Sequence, residues 1–319
     1  MNEGSPTALP TPGRRKAGWR GRARRAFPRA VRLADRIGDP LVGWAERRLP
    51  DEAFLRRQFA AHLGFPLDLE DPKLLVEKIQ WLKLHDVTPL HRRCSDKIAV
   101  RDHVREVVGE EVLIPLLDVM ATEAGLTPAR IAARRFVAKT NHDCGGVVLC
   151  PDREAFDWAA ARAKLGRHRR RDYWRAQREL AYRGIEPHVL VEEMLPGPDG
   201  GPPEDYKFFC FGGEAVMIQV IAGRGGAQTR TMMAPDWTVL PVRRRGVPSA
   251  SVPPPRPPRL GEMLRVAAAL SAPFRFCRVD LYAVGEAIYF GEYAFYPDGG
   301  YRPFEPVVWE ERLGALVRL

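Results

Sequence analysis

The residues with the clearest chemical potential lie near the C-terminal end. Arg278-Val279-Asp280-Leu281-Tyr282 and Phe290-Gly291-Glu292-Tyr293 set a guanidinium and two carboxylates within apolar and aromatic surroundings. Both segments read as buried strands. Val284-Gly285-Glu286 between them reads as a turn, so the pair forms a hairpin with Asp280 on one strand and Glu292 on its neighbour. Two buried carboxylates repel each other unless a cation sits between them. Mg²⁺ suits the position because it takes carboxylate oxygens together with phosphate oxygens. Arg278 stands two residues before Asp280 and, at period two, points to the same face. An acid pair on a metal beside a fixed guanidinium suits a phosphoryl group or an acyl phosphate. The same strands also allow a metal-free arrangement in which Arg278 simply bridges Glu292.

Earlier segments supply cations and loops of matching chemistry. Lys139 ends an apolar strand, and Thr140-Asn141-His142-Asp143-Cys144-Gly145-Gly146 leads into a second one. Glycines let backbone N–H groups approach a phosphate, and the lysine adds a mobile positive charge. The turn is not a P-loop, since GxxxxGK[ST] is absent. An ordinary hairpin turn with a structural His142 is the alternative. His188-Val189-Leu190-Val191-Glu192-Glu193-Met194-Leu195-Pro196-Gly197 is a buried strand that meets a break, whose free backbone groups could hold an adenine edge. Lys207 sits mid-strand among apolar residues, where its charge needs a partner.

The elements that must position these groups follow from periodicity. Residues 27–64 read as helical, with Ala30, Leu33, Ile37, Leu41 and Trp44 at helical spacing and a further face at Phe54, Leu55 and Phe59. Asp71 is an expected N-cap for a helix with Leu75, Ile79 and Leu82 inward. Ser95 or Asp96 caps another that runs to residue 108. Residues 112–115 read as a short strand, a short helix starts at residues 127–130, and residues 153–183 read as helical and basic. Residues 205–211, 215–221 and 229–233 form an antiparallel sheet joined by glycine turns. Flexible loops are expected at 198–203 and 223–226. A proline-rich linker at 248–258 and a helix at 261–271 lead into the hairpin.

A chain of 319 residues, 45% hydrophobic and 28% charged, has the composition of a soluble globular protein with room for two or three subdomains. It has no apolar run long enough to span a bilayer. The absence of a signal-peptide core makes the cytoplasm the expected location. Its five cysteines have no close metal-type spacing, and their odd number argues against a disulfide framework. The net charge of +10 is concentrated in residues 1–32, which hold nine Arg/Lys and one acid. Residues 1–26 read as a disordered basic tail, with weak contact to an anionic membrane surface as one use and a plain solvated tail as the alternative. No pattern supports specific nucleic-acid recognition.

Taken in order, a lysine-ended strand with a glycine turn, an acidic hinge strand, a mid-strand lysine and an Arg-x-Asp strand paired with a Glu strand resemble the ATP-grasp superfamily. More narrowly, Glu77-Lys78-Ile79-Gln80-Trp81-Leu82-Lys83-Leu84, Asp96-Lys97-Ile98-Ala99-Val100-Arg101, Asp205-Tyr206-Lys207-Phe208-Phe209-Cys210-Phe211, Arg278-Val279-Asp280 and Phe290-Gly291-Glu292 with Phe295-Tyr296-Pro297 and Gly299-Gly300 resemble its TupA-like (teichuronopeptide-biosynthesis) branch over roughly residues 55–319. The resemblance implies an α+β fold in which two antiparallel-sheet lobes clasp ATP. It divides the chain into the tail, a helical region at 27–110 and lobes at 111–319, with a lid and hinge part at 135–195 and a C-terminal sheet at 204–319.

The resemblance further implies ATP and Mg²⁺ as cofactors and an activity that joins a carboxylate to an amine through an acyl phosphate, in polymer or secondary-metabolite assembly. Lys97 and Lys139 would contact phosphates, and Asn141, Gly145 and Gly146 would form the lid. Glu192, Glu193 and Leu195 would line the adenine and ribose side. Lys207 would reach the terminal phosphates, Asp280 and Glu292 would hold Mg²⁺, and Arg278 would steady the acyl phosphate. Arg224, Arg230 and Arg302 are candidates to grip the acceptor carboxylate, with solvent exposure as their alternative. The partners would be small-molecule, peptide or saccharide carboxylates and amines. Two positions depart from the pattern: Ala294 stands where ATP-grasp enzymes commonly carry Asn, and Asp143 puts a negative charge in the lid. A glycosyltransferase or a non-catalytic nucleotide-binding protein are the competing readings.

Overall fold

A computed structural model describes residues 48–197, 203–222 and 228–319. The helices expected over residues 27–47, the basic tail and most of the two glycine-bearing loops lie outside the described residues. Eleven strands build two main antiparallel sheets and a two-stranded ribbon among the described residues. The smaller sheet has the order β1 (Leu116–Met120), β4 (Val189–Glu193), β2 (Phe136–Thr140), β3 (Val147–Cys150). The larger has the order β10 (Ala287–Ala294), β9 (Phe276–Val284), β5 (Asp205–Phe211), β6 (Glu214–Ala222), β7 (Thr229–Met233). Strands β8 (Arg243–Arg244) and β11 (Phe304–Glu305) pair beside it. This α+β arrangement of two antiparallel sheets with packed helices is the expected fold class.

Strand β5 is buried at all seven positions, as a central strand covered on both faces must be. Its register decides what each face presents. Phe208 pairs with Val279 and Cys210 with Cys277, giving an apolar face. That face meets the helix Leu260–Ser271, where Cys210 Sγ lies 4.0 Å from the Ala267 carbonyl oxygen. On the opposite face, Lys207 pairs with Asp280 and Phe209 with Arg278. The one-residue alternation of a strand thus separates core from chemistry.

Helices α1 (Asp51–Leu63), α2 (Leu75–His85), α3 (Pro89–Ser95) and α4 (Val100–Val108) precede the sheets. Five expectations change. The helix assigned an Asp71 cap begins at Leu75, because Glu77 turns back to accept the backbone N–H groups of Lys73 and Leu74, each at 2.9 Å. The helix expected to start at Ser95 or Asp96 begins at Val100, because Ser95 ends the preceding helix and Asp96 Oδ1 accepts the Ile98 N–H at 2.9 Å in the link between them. The strand expected at 112–115 is β1, further on, and Leu113 makes only an isolated parallel bridge to Phe290. Residues 128–130 form a turn, and the expected helix of 153–183 divides into α5 (Trp158–Arg169) and α6 (Trp174–Gln177). Helix α7 (Leu260–Ser271) matches its expectation, and α8 (Val308–Leu316) closes the chain.

Helix α2 ties the chain ends together beneath the larger sheet. Buried Glu310 of α8 accepts the Val76 and Phe304 N–H groups at 2.9 and 2.8 Å. From the same helix Gln80 donates to the Gly299 and Gly300 carbonyls, each at 3.1 Å. The turn that follows β10 is therefore held from below. No helix among the described residues is long and apolar enough to cross a membrane.

Candidate active site

Four strands of the larger sheet bring four polar residues into one row. Gln219 pairs with Lys207, Lys207 with Asp280, and Asp280 with Glu292. Directly paired residues share a face, so the two expected metal ligands do stand side by side. A bulge makes this so. Val284 pairs with Ala287, and a regular ladder from that turn would set Asp280 opposite Gly291. The register instead shifts between Phe290 and Glu292. One extra residue flips every side chain beyond it to the other face, and here it turns Glu292 onto the side of Asp280.

Asp280 is 1% exposed and fully engaged. Arg278 donates Nε to Oδ1 at 2.6 Å and a terminal nitrogen to Oδ2 at 2.8 Å. Lys207 also donates to Oδ2 and sits 2.8 Å from Asp205 Oδ2. Burial alone would raise the Asp280 carboxyl, but the charges of Arg278 and Lys207 outweigh it and hold the group below its usual value. Burial likewise pulls Arg278 down, and Asp280 more than restores it, so the guanidinium is firmly charged. Arg278 thus bridges to its own strand's acid. The side chain of Glu292 is 35% exposed, with Lys97 Nζ 4.0 Å away.

The smaller sheet and the segment before α4 face this row across a gap lined by Lys97, Arg101, Lys139, Glu192 and Glu292. Lys139 pairs with Glu192 at 2.5 Å, and Arg101 reaches the other oxygen of Glu192 at 3.0 Å. Strand alternation buries Glu192 and leaves Glu193 exposed, so the two hinge acids do not act together. The Glu193 N–H is taken by the Pro115 carbonyl at 3.0 Å. Leu195 is buried just beyond the strand.

The 141–146 turn is clamped at its base. Asn141 donates to Asp96 Oδ1 at 2.9 Å and accepts the His188 N–H at 2.7 Å. Asp143 turns inward to His168 Nδ1 at 2.5 Å and takes a hydrogen bond from Thr140, so its charge is paired rather than presented. Lys97 Nζ donates to the Asp143 carbonyl at 2.6 Å. A Cβ on Gly146 would lie 1.9 Å from Thr140 Oγ1, and Gly145 has φ +94°. Both glycines are there because the turn folds this tightly. Only Cys144 and Gly145 at the tip are exposed; Gly146 beside them is buried.

Beyond Glu292 the gap opens into a cleft of about 680 Å³, a size suited to a small-molecule site. Arg278, Glu292, Ala294 and Arg302 line it, as do Glu179, Tyr173 and Arg245. Arg302 is the one of the three acceptor candidates that lines this cleft. Arg230 lies on β7, where its charge acts on Arg244 and Asp298. Arg224 lies outside the described residues. The pair Lys83 and Glu179 has no counterpart in the sequence expectations. Lys83 stands within a quoted motif but only as part of a helix, and Glu179 falls in the stretch 153–183 read as helical and basic, with no role attached to it.

An Mg²⁺–triphosphate fits these groups. Among the described residues no three His, Cys, Asp or Glu converge as a self-sufficient metal cage. Two carboxylates with the remaining oxygens from phosphate are what Mg²⁺ prefers. The Nε2 donor of Gln219, in the same row, is buried without a hydrogen-bond partner, a group that an incoming acceptor oxygen would satisfy.

Two antiparallel sheets closing on one cleft, with Lys139 from the first, Lys97 from the segment before α4 and an acid row on the second, define the ATP-grasp class of fold. The model of the TupA-like ATPgrasp family matches residues 77–318, and the chain belongs to that family. No curated protein matches the sequence. Solved structures of similar fold include D-alanine–D-alanine ligase from Bacillus anthracis complexed with ATP, 14% identical with a TM-score of 0.40, covering 70% of this chain and 63% of that one. A RimK domain protein ATP-grasp from Sphaerobacter thermophilus is 15% identical with a TM-score of 0.38, covering 71% and 67%. The ATP-grasp ligase PsnB complexed with minimal precursor is 11% identical with a TM-score of 0.38, covering 72% and 62%. The chain thus spans less than two thirds of the ligases from Bacillus anthracis and of PsnB.

Proposed function

We propose that this protein is an ATP-dependent carboxylate–amine ligase, and that its product is an amide or peptide bond. The observation that carries the reading is the Lys207–Asp280–Glu292 row with Arg278 beside it, opening onto a cleft large enough for two further substrates. Membership of an ATP-grasp family supports ATP as the energy source. Glu292 and Asp280 would hold Mg²⁺, which when bound neutralises phosphate charge. Lys97 and Lys139, both at the gap, would contact phosphate oxygens in exchange for their present carboxylate partners. Asn141 holds the lid turn in place through its side chain, while Gly145 and Gly146 keep the tip slim enough to lie over phosphates. Glu192, on the gap side, and the backbone near Leu195 would border the nucleoside.

The chain's own groups then act on the acceptor. Arg278 and Lys207, fixed by Asp280, present positive charge where the substrate carboxylate becomes an acyl phosphate. Such preorganised charge is the main catalytic term in phosphoryl transfer. Arg302 at the cleft would steady a second acidic group of the acceptor. The reaction would serve the cytoplasmic assembly of a polymer or a secondary metabolite. Incubation with Mg–ATP and pools of amino acids tests the reading. Release of ADP and phosphate that depends on the amine supports ligation; ATP binding with no turnover across the pools counts against it.

A further inference from the structure

One wall of the cleft has no part in the phosphate chemistry. It is formed by Glu179 with Tyr173, Tyr182, Tyr296 and Tyr301. The Glu179 side chain is buried and accepts a hydrogen bond from Tyr173. The hydroxyl oxygens of Tyr296 and Tyr301 are buried with no hydrogen-bond partner, though both residues line the cleft and are at most 9% exposed. Behind this wall Lys83 donates to the Gln177 and Gly299 carbonyls at 2.9 and 2.7 Å, and lies 4.7 Å from the Tyr301 ring centre. The Lys83 ammonium already lies over the Tyr301 and Tyr296 rings, at 4.7 and 5.9 Å, so what is left to recognise a further ammonium group is the Glu179 carboxylate and the two unpartnered hydroxyl oxygens. Nothing about it suits a phosphate.

We infer that Glu179 seats the primary ammonium of the amine substrate and accepts its proton, with Tyr296 and Tyr301 completing the seat. The inference rests on the ligase reading above. Glu179 lines the same cleft as Arg278 and Glu292, so a nitrogen held there shares the cleft with the acyl phosphate. The groups around Glu179 are Lys83 from α2, Tyr173 and Tyr182 on either side of it, Cys144 from the lid tip, and Tyr296 and Tyr301 from the turn after β10. Burial raises the Glu179 carboxyl to about 7, with the Lys83 charge and the Tyr173 hydrogen bond opposing. A base poised near neutrality is well matched to proton transfer. The step balances. The ammonium gives one proton to Glu179 and frees the nitrogen lone pair. That pair forms the C–N bond as the C–O bond to phosphate breaks. The second nitrogen proton leaves with the phosphate, and Glu179 returns its own to solvent.

The test separates this role from the ligase reading by changing the nucleophile. The full chain is given Mg–ATP and a mixture of N-acetyl amino acids as carboxylates, with either hydroxylamine or a mixture of free amino acids as the amine. Hydroxylamine is already unprotonated at neutral pH and needs no base. Glu179→Gln should slow amide formation about 100-fold or more and hydroxamate formation, which needs no base, far less, with partial recovery in Glu179→Asp. Equal amide formation by Glu179→Gln and wild type, or equal loss of both reactions in a variant that still binds ATP, overturns the role of Glu179. No hydroxamate from the wild-type protein overturns the ligase reading and this inference with it. If Glu179→Gln fails to fold, the Tyr296→Phe, Tyr301→Phe double variant removes only the two hydroxyls. It should raise KM for the amine with hydroxamate formation intact, and an unchanged KM overturns the seat.

Discussion

At the scale of single residues, the two expected metal ligands are not equivalent. Asp280 is buried between Arg278 and Lys207, so Asp280→Asn leaves buried Arg278 without its paired carboxylate and Lys207 with Asp205 alone. Losing one partner of such a buried cluster costs about 3–5 kcal/mol. Glu292 is a third exposed and has one distant cation at 4.0 Å. We therefore expect both Asp280→Asn and Glu292→Gln to abolish turnover, but only the first to lower the melting temperature. A Glu292→Gln enzyme with wild-type turnover would remove it from the site. Glu179 gives a pH signature of its own. Its carboxyl rises from 4.5 to about 7 on burial. A group raised by folding contributes stability that is complete below its unfolded value and declines as pH rises through the folded one. Wild type should therefore lose stability relative to Glu179→Gln between about pH 4.5 and 7. Lys83, pulled by burial from 10.5 to about 7, acts over the adjoining interval: its stability cost is present at pH 7 and is relieved as pH rises towards 10.5. Urea midpoints of the two proteins against pH check this, and a constant difference from pH 4.5 to 7 would show that the Glu179 carboxyl is not raised.

At the scale of elements, the hairpin of β9 and β10 explains both what the sequence made legible and what it hid. Alternation of apolar residues around Arg278 and Asp280 was enough to put them on one face, because period two is a local property of a strand. The partnering of Asp280 with Glu292 follows only once the bulge beyond Phe290 is known. Counting from a two-residue turn would have sent Glu292 to the far face. The 141–146 segment was legible as a glycine turn, but its clamp was not, since Asp143 finds His168 on α5 and Asn141 finds Asp96 and His188, all contacts across elements. The Lys83–Glu179 pair was invisible for the same reason: its members are far apart in sequence and meet only by packing. Helix starts moved where a side chain reached the backbone, as Glu77 does. The bulge itself can be tested. A Cβ on Gly291 would meet the Tyr282 ring at 3.0 Å and the Asp280 carbonyl oxygen at 3.1 Å. Gly291→Val would push the strand and re-aim Glu292. Overpacking of this kind costs about 1–3 kcal/mol. We expect turnover to fall well beyond what that loss of stability explains, with a raised Mg²⁺ requirement. A Gly291→Val enzyme with normal Mg²⁺ dependence would show that the bulge does not set the position of Glu292.

At the scale of the whole molecule, the two sheets have unequal cores. Among the described residues, forty buried apolar residues surround the larger sheet and ten surround the smaller. Burial of apolar area is the main term that holds a unit closed, so the smaller sheet is the one expected to open first. Among the described residues its ties to the larger include the Lys97 hydrogen bonds to Asn141 and Asp143, the Asn141–Asp96 hydrogen bond, the Arg101 bonds to Glu192 and the Ile114 carbonyl, and the bridge between Leu113 and Phe290. Most of these are polar and sit at the rim of the gap. A ligand that touches Lys139 on one side and Lys97, Glu292 and Lys207 on the other joins the two cores, and it must stabilise the closed arrangement by its binding free energy. At a concentration of one hundred times Kd, that linkage amounts to about 2.7 kcal/mol. Hydrogen exchange is the measurement that localises it. The amides of β1 to β4 should exchange faster than those of β5 and β9 in the free protein. Mg–ATP should slow the first group by up to about 100-fold, the same free energy expressed as a rate, and leave the second nearly as it was. Lys97→Ala should remove much of that protection while preserving the slow amides of the larger sheet. Protection that appears only in β5 to β10 would place the nucleotide on the larger sheet alone, and the closing of the two sheets over it would have to be abandoned.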